Sequence, residues 1–207
     1  MNVYQASVQT PLGELLMESD GEALTALRFN NVRAGRVPAR NQRHTLSNVG
    51  ATLVVARNSS PTIPHPSSII QKDSSFLIPH SSFNKTLNWL DQYFSGKIPD
   101  FTPHIHLEGT PFQKKVWEIL MTIPYGQTVT YKHIAQLIAK RRGLPPNKMS
   151  AQAVGGAVGR NPIPIIVPCH RVIGTDGSLT GYAGGLWRKQ WLLEHECSSY
   201  TQKLLLE

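Results

Sequence analysis

Apolar and polar positions alternate through residues 1–29, as in "GELLMESDGEALTALRF", and the Asp20–Gly21 pair interrupts the alternation where a turn belongs. The pattern predicts a β-hairpin or small sheet. Residues 30–80 break it. They are rich in Ser, Pro, Asn and Arg, carry no acid before Asp73, and include "NSSPTIPHPSS", the composition of a long loop or disordered insert. A helical period then starts, with Phe83, Leu87, Leu90 and Phe94 on one face and Gly96 as its stop.

Three further helices follow, each with a start signal. "GTPFQKKVWEIL" offers Thr110 as N-cap, Pro111 at the first helical position and Gln113 to complete a capping box. Phe112, Val116, Ile119, Leu120 and Ile123 give its apolar stripe, and "PYG" ends it. The next begins at Thr130, with Val129 and Ile134 placed as a hydrophobic staple and Leu137 and Ile138 on the inner face. "GLPPN" closes it. The last begins at Ser150, with Met149 and Val154 as the staple pair. Two short helices joined by a tight linker have the form of a helix-turn-helix. The second of them, "SAQAVGGAVGRN", is nearly bare of bulky side chains. Its adjacent Gly155 and Gly156 each cost about 1 kcal/mol of helix stability relative to alanine. Such glycines serve close packing against another helix, or close approach of the backbone to a large ligand.

Composition narrows the class. The 207 residues suffice for one domain or two small ones. Two cysteines, Cys169 and Cys197, can form neither a disulfide framework nor a zinc site built on paired C-x-x-C motifs. The first residues lack a signal peptide's basic start and continuous apolar stretch, and no run nears the roughly 18 apolar residues of a membrane span. The expectation is a cytoplasmic, reducing setting in which a thiol stays reduced. The net charge of +8 is uneven: residues 110–191 hold eleven Lys and Arg against only Glu118 and Asp176, a net of +9. Such a segment attracts polyanions, of which nucleic acid is the commonest, or is simply a soluble basic surface.

The chemistry concentrates at "PIIVPCHRVIG", residues 164–174. Cys169 follows the strand-like run "IPIIVP" and precedes His170 and Arg171. A structural cysteine sits inside an apolar element. This one follows a proline that must bend or end the run. A thiol with an ordinary pKa near 8.5 is only a few per cent thiolate at neutral pH, so nucleophilic use needs a base or a nearby cation. His170 can supply the first and Arg171 the second.

"PCHRVIG", with "AVGGAVGRNPIPIIV" before it and "GSLTGYAGGLWRKQWLLEHE" after it, resembles the active-site region of the methylated-DNA–protein-cysteine methyltransferases, the 6-O-alkylguanine-DNA alkyltransferases. The likeness runs from about Gly109 to Glu196 and includes "GTPFQKKVW" and "YGQTVTY". In the N-terminal part it is confined to "PLGELLMESDGEALTALRF" and the helix ending "YFSGK". The resemblance implies an α+β protein with a small sheet-and-helix N-terminal domain, residues 1–108, interrupted by the insert near 30–80. A mostly helical C-terminal domain, residues 109–207, would carry the helix-turn-helix and the cysteine turn.

It implies direct repair of O-6-methylguanine, with O-4-methylthymine as a further candidate, in one irreversible turnover. Cys169 would accept the alkyl group, His170 would take its proton through a water, and Glu196 would orient the imidazole. Asn161 would brace the turn, and Tyr131 would help neutralise the leaving guanine or serve as a core tyrosine beside Ile134 and Ile138. The carbonyls of Cys169 and Val172 would read the base, and Tyr182, Ala183 and Gly184 would close the pocket. The glycine-rich helix, with Ala151, Gly155 and Arg160, would enter the minor groove. Gln152 stands where the family commonly has the arginine that fills the space left by the extruded base. The partner would be double-stranded DNA, bound by a monomer in the cytoplasm, on the nucleoid if the cell is bacterial. The N-terminal zinc ligands of some members are absent, so neither metal nor cofactor is expected. The competing readings are a non-catalytic binder of alkylated DNA, which lacks the acceptor cysteine, a cysteine hydrolase, and a helix-turn-helix regulator.

Overall fold

A computed structural model describes residues 3–30, 47–49, 52–54 and 81–204. The alternation in the first 29 residues folds as three antiparallel strands, β1 (Tyr4–Thr10), β2 (Gly13–Ser19) and β3 (Leu24–Phe29), in that order. Thr10 pairs with Gly13 across the first turn, where Gly13 takes φ +98°, a conformation that favours glycine. Asp20 caps the second turn: its Oδ1 accepts from the main-chain N–H groups of Glu22 and Ala23, at 2.9 and 2.8 Å.

Leu15 and Met17 of β2, with Leu24, Leu27 and Phe29 of β3, are buried against α1 (Ser81–Phe94), which contributes Phe83, Leu90, Tyr93 and Phe94. Most of the predicted insert lies outside the described residues. Within it, β4 (Ser47–Val49) pairs antiparallel with β5 (Thr52–Val54).

The cap signals are realised. α2 (Pro111–Met121) starts with a complete Thr110–Gln113 capping box. α3 (Tyr131–Arg141) starts at Thr130, whose side chain accepts from the His133 N–H, and α4 (Ala151–Gly159) at Ser150, capping the Ala153 N–H. α3 and α4 form the helix-turn-helix, and the Trp117 Nε1–H of α2 donates to the Ala157 carbonyl of α4 at 2.9 Å. A Cβ on Gly109 would lie 2.6 Å from the Trp117 ring, so the bare backbone there is a packing requirement. One apolar core runs from the sheet through α1 into α2, α3 and α4 and on to α5 (Leu186–Leu204). The protein is α+β. No helix among the described residues is long and apolar enough to cross a membrane.

Two connections place the site. β6 (Val129–Thr130) pairs parallel with β7 (Val172–Ile173), setting the start of α3 beside the chain leaving Cys169. The Leu27 N–H of β3 donates to the Pro162 carbonyl at 2.9 Å, fastening the approach to Cys169 onto the sheet.

Candidate active site

The apolar run before Cys169 is not the strand that its composition suggested. Pro162 and Pro164 cannot donate to a ladder, and Ile165 sits at φ +77°. The segment closes into a tight turn instead, with the Val167 N–H donating to the Ile163 carbonyl at 2.9 Å. Asn161 holds it from inside: its Nδ2 donates to the Val167 carbonyl at 2.8 Å and its Oδ1 accepts from the Ile163 N–H at 3.0 Å. A β-branched residue in the left-handed region costs on the order of 1–3 kcal/mol, which the surrounding bonds must offset. The turn delivers Cys169 to the start of a single 3-10 turn, Cys169–Arg171, where it is 6% exposed.

His170 and Glu196 are fully buried, with His170 Nε2 2.8 Å from Glu196 Oε1. A carboxylate only accepts, so Nε2 carries the proton and Nδ1 keeps its lone pair. That Nδ1 is buried with no hydrogen-bond partner, and so is the hydroxyl of Tyr182. Burial holds the His170 pKa below its ordinary value against the pull of Glu196, which keeps the ring neutral.

Burial alone would raise the Glu196 carboxyl. The charges and hydrogen bonds of His170 and Arg171 outweigh it and hold the group well below the usual carboxylate range. Arg171 donates from Nε to Oε2 and from Nη2 to Oε1, both at 2.9 Å. Tyr93 donates its hydroxyl to Oε1 at 2.8 Å, and the Gly126 N–H donates to Oε2 at 3.1 Å.

Arg171 was expected to put its charge beside the thiol. It spends that charge on Glu196, and the cation acting on Cys169 is Lys189, fully buried on α5. Burial pushes the thiol up to about 11, opposed by a hydrogen bond with Asn161 and by the Lys189 charge. Lys189 Nζ donates to the carbonyls of Val172, at 2.6 Å, and Thr180, at 2.8 Å. Burial lowers its own pKa to about 8. The Val172 carbonyl, expected to read a base, therefore already accepts one bond, and the Cys169 carbonyl accepts from the Val172 N–H. Each retains a second lone pair.

Tyr131 packs half-buried against the core and donates its hydroxyl to the same Thr180 carbonyl at 3.0 Å. Its pKa is raised, first by burial. Tyr182, Ala183 and Gly184 form the loop before α5, with Gly184 buried and Ala183 exposed. These residues, with Asn161, Cys169, His170, Val172 and Glu196, come together in one place.

Ala151, Gln152 and Gly155 lie on α4 and Arg160 caps its end, with Gly155 alone of the four shown against a site residue, Tyr131. Gln152 and Arg160 are exposed, and Arg160 Nη1 donates to the Gly156 carbonyl at 3.2 Å. A Cβ on Gly155 would make only ordinary contact with Tyr131 at 3.8 Å, and one on Gly159 would meet nothing within 4 Å. Packing inside the protein therefore does not require these glycines, unlike Gly109. Cys197 lies within α5. No cluster of three or more metal-ligating side chains occurs among the described residues.

A thiol on a braced turn, a neutral imidazole with a free lone pair, and an ionised carboxylate behind it are the parts a cysteine nucleophile needs, and they lie in one protein with a helix-turn-helix. Residues 111–198 match the family model described as 6-O-methylguanine DNA methyltransferase, DNA binding domain. The methylated-DNA–protein-cysteine methyltransferase of Mycobacterium leprae is 37% identical over 204 residues, 99% of this chain and 98% of that protein. That of Mycobacterium bovis is 49% identical over 125 residues, 60% of this chain and 72% of the relative. A crystal structure of Mycobacterium tuberculosis O6-methylguanine methyltransferase aligns with TM-score 0.63 and 35% identity, covering 96% of this chain and 94% of that one. A structure of Mycobacterium tuberculosis OGT in complex with DNA aligns at 0.62, with 35% identity and 93% and 92% covered. The chain belongs to the methylated-DNA–protein-cysteine methyltransferase family.

Proposed function

We propose that the protein binds alkylated duplex DNA as a monomer, extrudes O-6-methylguanine through the minor groove, and moves the alkyl group once onto Cys169. The observation that carries the reading is the unpartnered Nδ1 of His170, aligned by Glu196 through Nε2 and next in sequence to the buried thiol. A buried acceptor with no protein partner is one that a water or a reacting group has to meet, and a proton relay through a water meets it.

In the step proposed, Nδ1 takes the Cys169 proton through a water, and the Lys189 charge favours the thiolate. The thiolate attacks the alkyl carbon, the carbon–O6 bond breaks, and the guanine leaves with the electron pair. The proton taken from Cys169 returns to the guanine, with the Tyr131 hydroxyl helping to neutralise it. The remaining lone pairs of the Cys169 and Val172 carbonyls face the base amino group.

A base within the duplex stack cannot reach a buried thiol, so extrusion has to precede transfer. The glycine face of α4, open outward at Gly159, suits close approach to a groove. The basic segment supplies phosphate contacts. Of its eleven cations, Arg171, Arg188 and Lys189 are buried and belong to the site, so the DNA-facing charge is that of the other eight. The setting proposed with this function is the cytoplasm, on the nucleoid if the cell is bacterial.

A thioether resists water, whereas an acyl-cysteine is hydrolysed and the enzyme recycles. The test is therefore duplex DNA carrying a labelled methyl group on guanine O6. One equivalent of label should appear on Cys169 and none on Cys197, with Cys169→Ala binding the duplex but taking no label. More than one equivalent removed per protein molecule would refute the single turnover. Retention of the duplex without transfer would leave a lesion binder.

A further inference from the structure

The Arg188 guanidinium lies between two aromatic rings, 4.5 Å from the centroid of Phe29 and 4.5 Å from that of Trp187. Its Nε donates to the Leu12 carbonyl at 2.8 Å and its Nη1 to the Gly184 carbonyl at 2.6 Å. A buried cation here serves two main-chain acceptors, one in the turn between β1 and β2 and one in the loop whose Tyr182 interacts electrostatically with Cys169. Phe29 at the end of β3 presses on the same loop. Its ring meets Tyr182 edge-on with centroids 6.3 Å apart. A Cβ on Gly184 would lie 2.6 Å from Cδ2 and Cε2 of that ring and 2.9 Å from Tyr182 Cε1. The loop backbone therefore rests directly on Phe29, with no space between them.

The other wall of the site is tied to the same strand, through the bond from the Leu27 N–H to the Pro162 carbonyl. β3 thus holds both the turn that delivers the nucleophile and the loop opposite it. We propose that Phe29 and Arg188 are positioning residues that fix the gap between the Tyr182–Gly184 loop and Cys169, so that the N-terminal sheet sets the size of alkyl group accepted. This rests on the function proposed above. The physical basis is the close packing of the wall: a ring that cannot move back leaves a pocket of fixed width, and pocket width discriminates by size.

The test uses one duplex sequence carrying either O-6-methylguanine or O-6-benzylguanine, so that extrusion is common to both, and compares single-turnover rates. Phe29→Leu and Arg188→Met should each raise the benzyl-to-methyl rate ratio by roughly tenfold, the discrimination that about one methylene in a pocket commands. Gly184→Ala should slow both substrates, and adding Phe29→Leu should restore most of the loss, because the ring is the obstacle. Arg188→Met keeps the Phe29 side chain and removes the loop's other anchor, so a Phe29 variant that fails to fold does not remove the test. An unchanged ratio, an equal fall on both substrates, or a double variant no better than Gly184→Ala would overturn the proposal. Transfer from neither duplex by the parent protein would instead refute the function on which it rests.

Discussion

Arg171 grips Glu196 with two parallel hydrogen bonds, each 2.9 Å, from the residue next to the imidazole that the same carboxylate orients. The carboxylate is thereby neutralised and aimed at once, and both groups are buried, their side chains 10% and 1% exposed. Breaking a buried pair by removing one charge costs about 3–5 kcal/mol, because the other is left uncompensated. Glu196→Gln should lower the stability of the fold by that amount in urea unfolding and slow transfer as well. Tyr93→Phe, which removes one neutral donor from the same charged carboxylate, should cost less, about 1.5–3 kcal/mol. Equal losses in the two variants would show that the Arg171 pairing contributes nothing.

Local signals were legible in the sequence, and long-range ones were not. Thr110, Thr130 and Ser150 announce their helices because a cap is a matter of three or four consecutive residues. The strand expected at 163–167 failed because a short apolar run has the same composition whether it extends or turns, and two prolines with Ile165 at positive φ decide for the turn. Tyr93 was invisible as a partner of Glu196, since 103 residues separate them. Lys189 did leave a signal. It stands at i, with Leu192, Leu193 and Glu196 at i+3, i+4 and i+7, on the inner face of α5, where a lysine has to be buried. Arg171 was misassigned because adjacency in sequence says nothing about direction, and its side chain turns to the carboxylate.

Gln152 is exposed in the first turn of α4, at the position where the resemblance of the sequence implies an arginine in the family. A neutral amide fills the space of a vacated base less well than a cation that also pairs with phosphate. Gln152→Arg should speed transfer from duplex DNA several-fold. It should leave reaction with free 6-O-benzylguanine unchanged, because the free base needs no extrusion. Equal acceleration on both substrates would place residue 152 in the chemistry.

Duplex affinity should fall steeply with salt, since phosphate neutralisation releases counterions with a slope near −0.9 per contact. Arg160 ends α4, exposed, with one of its donors on the Gly156 carbonyl. Arg160→Ala should weaken binding to all duplexes about equally and reduce the slope by about one contact. Binding titrations across a salt series measure both quantities. A flat salt dependence would remove the basic segment from the interface.

The rate of transfer should depend on pH in two places, each set by a different buried group. In the proposed step His170 can take the Cys169 proton only when neutral, and its pKa lies below the ordinary 6.5. The rate should therefore climb from acid pH and level off once the pH passes His170's depressed pKa. His170→Ala should abolish that limb. Lys189 supports the thiolate only as a cation, and its pKa is lowered to about 8. Its contribution is present below that pH and disappears above it, giving an inflection near pH 8. Lys189→Met should erase the inflection and keep the acid limb. It should also slow transfer at neutral pH by roughly tenfold for each pKa unit by which the thiol rises. Single-turnover rates with free 6-O-benzylguanine, measured from acid to alkaline pH, separate this chemistry from DNA binding. An inflection near pH 8 that survives in Lys189→Met would assign it to another group.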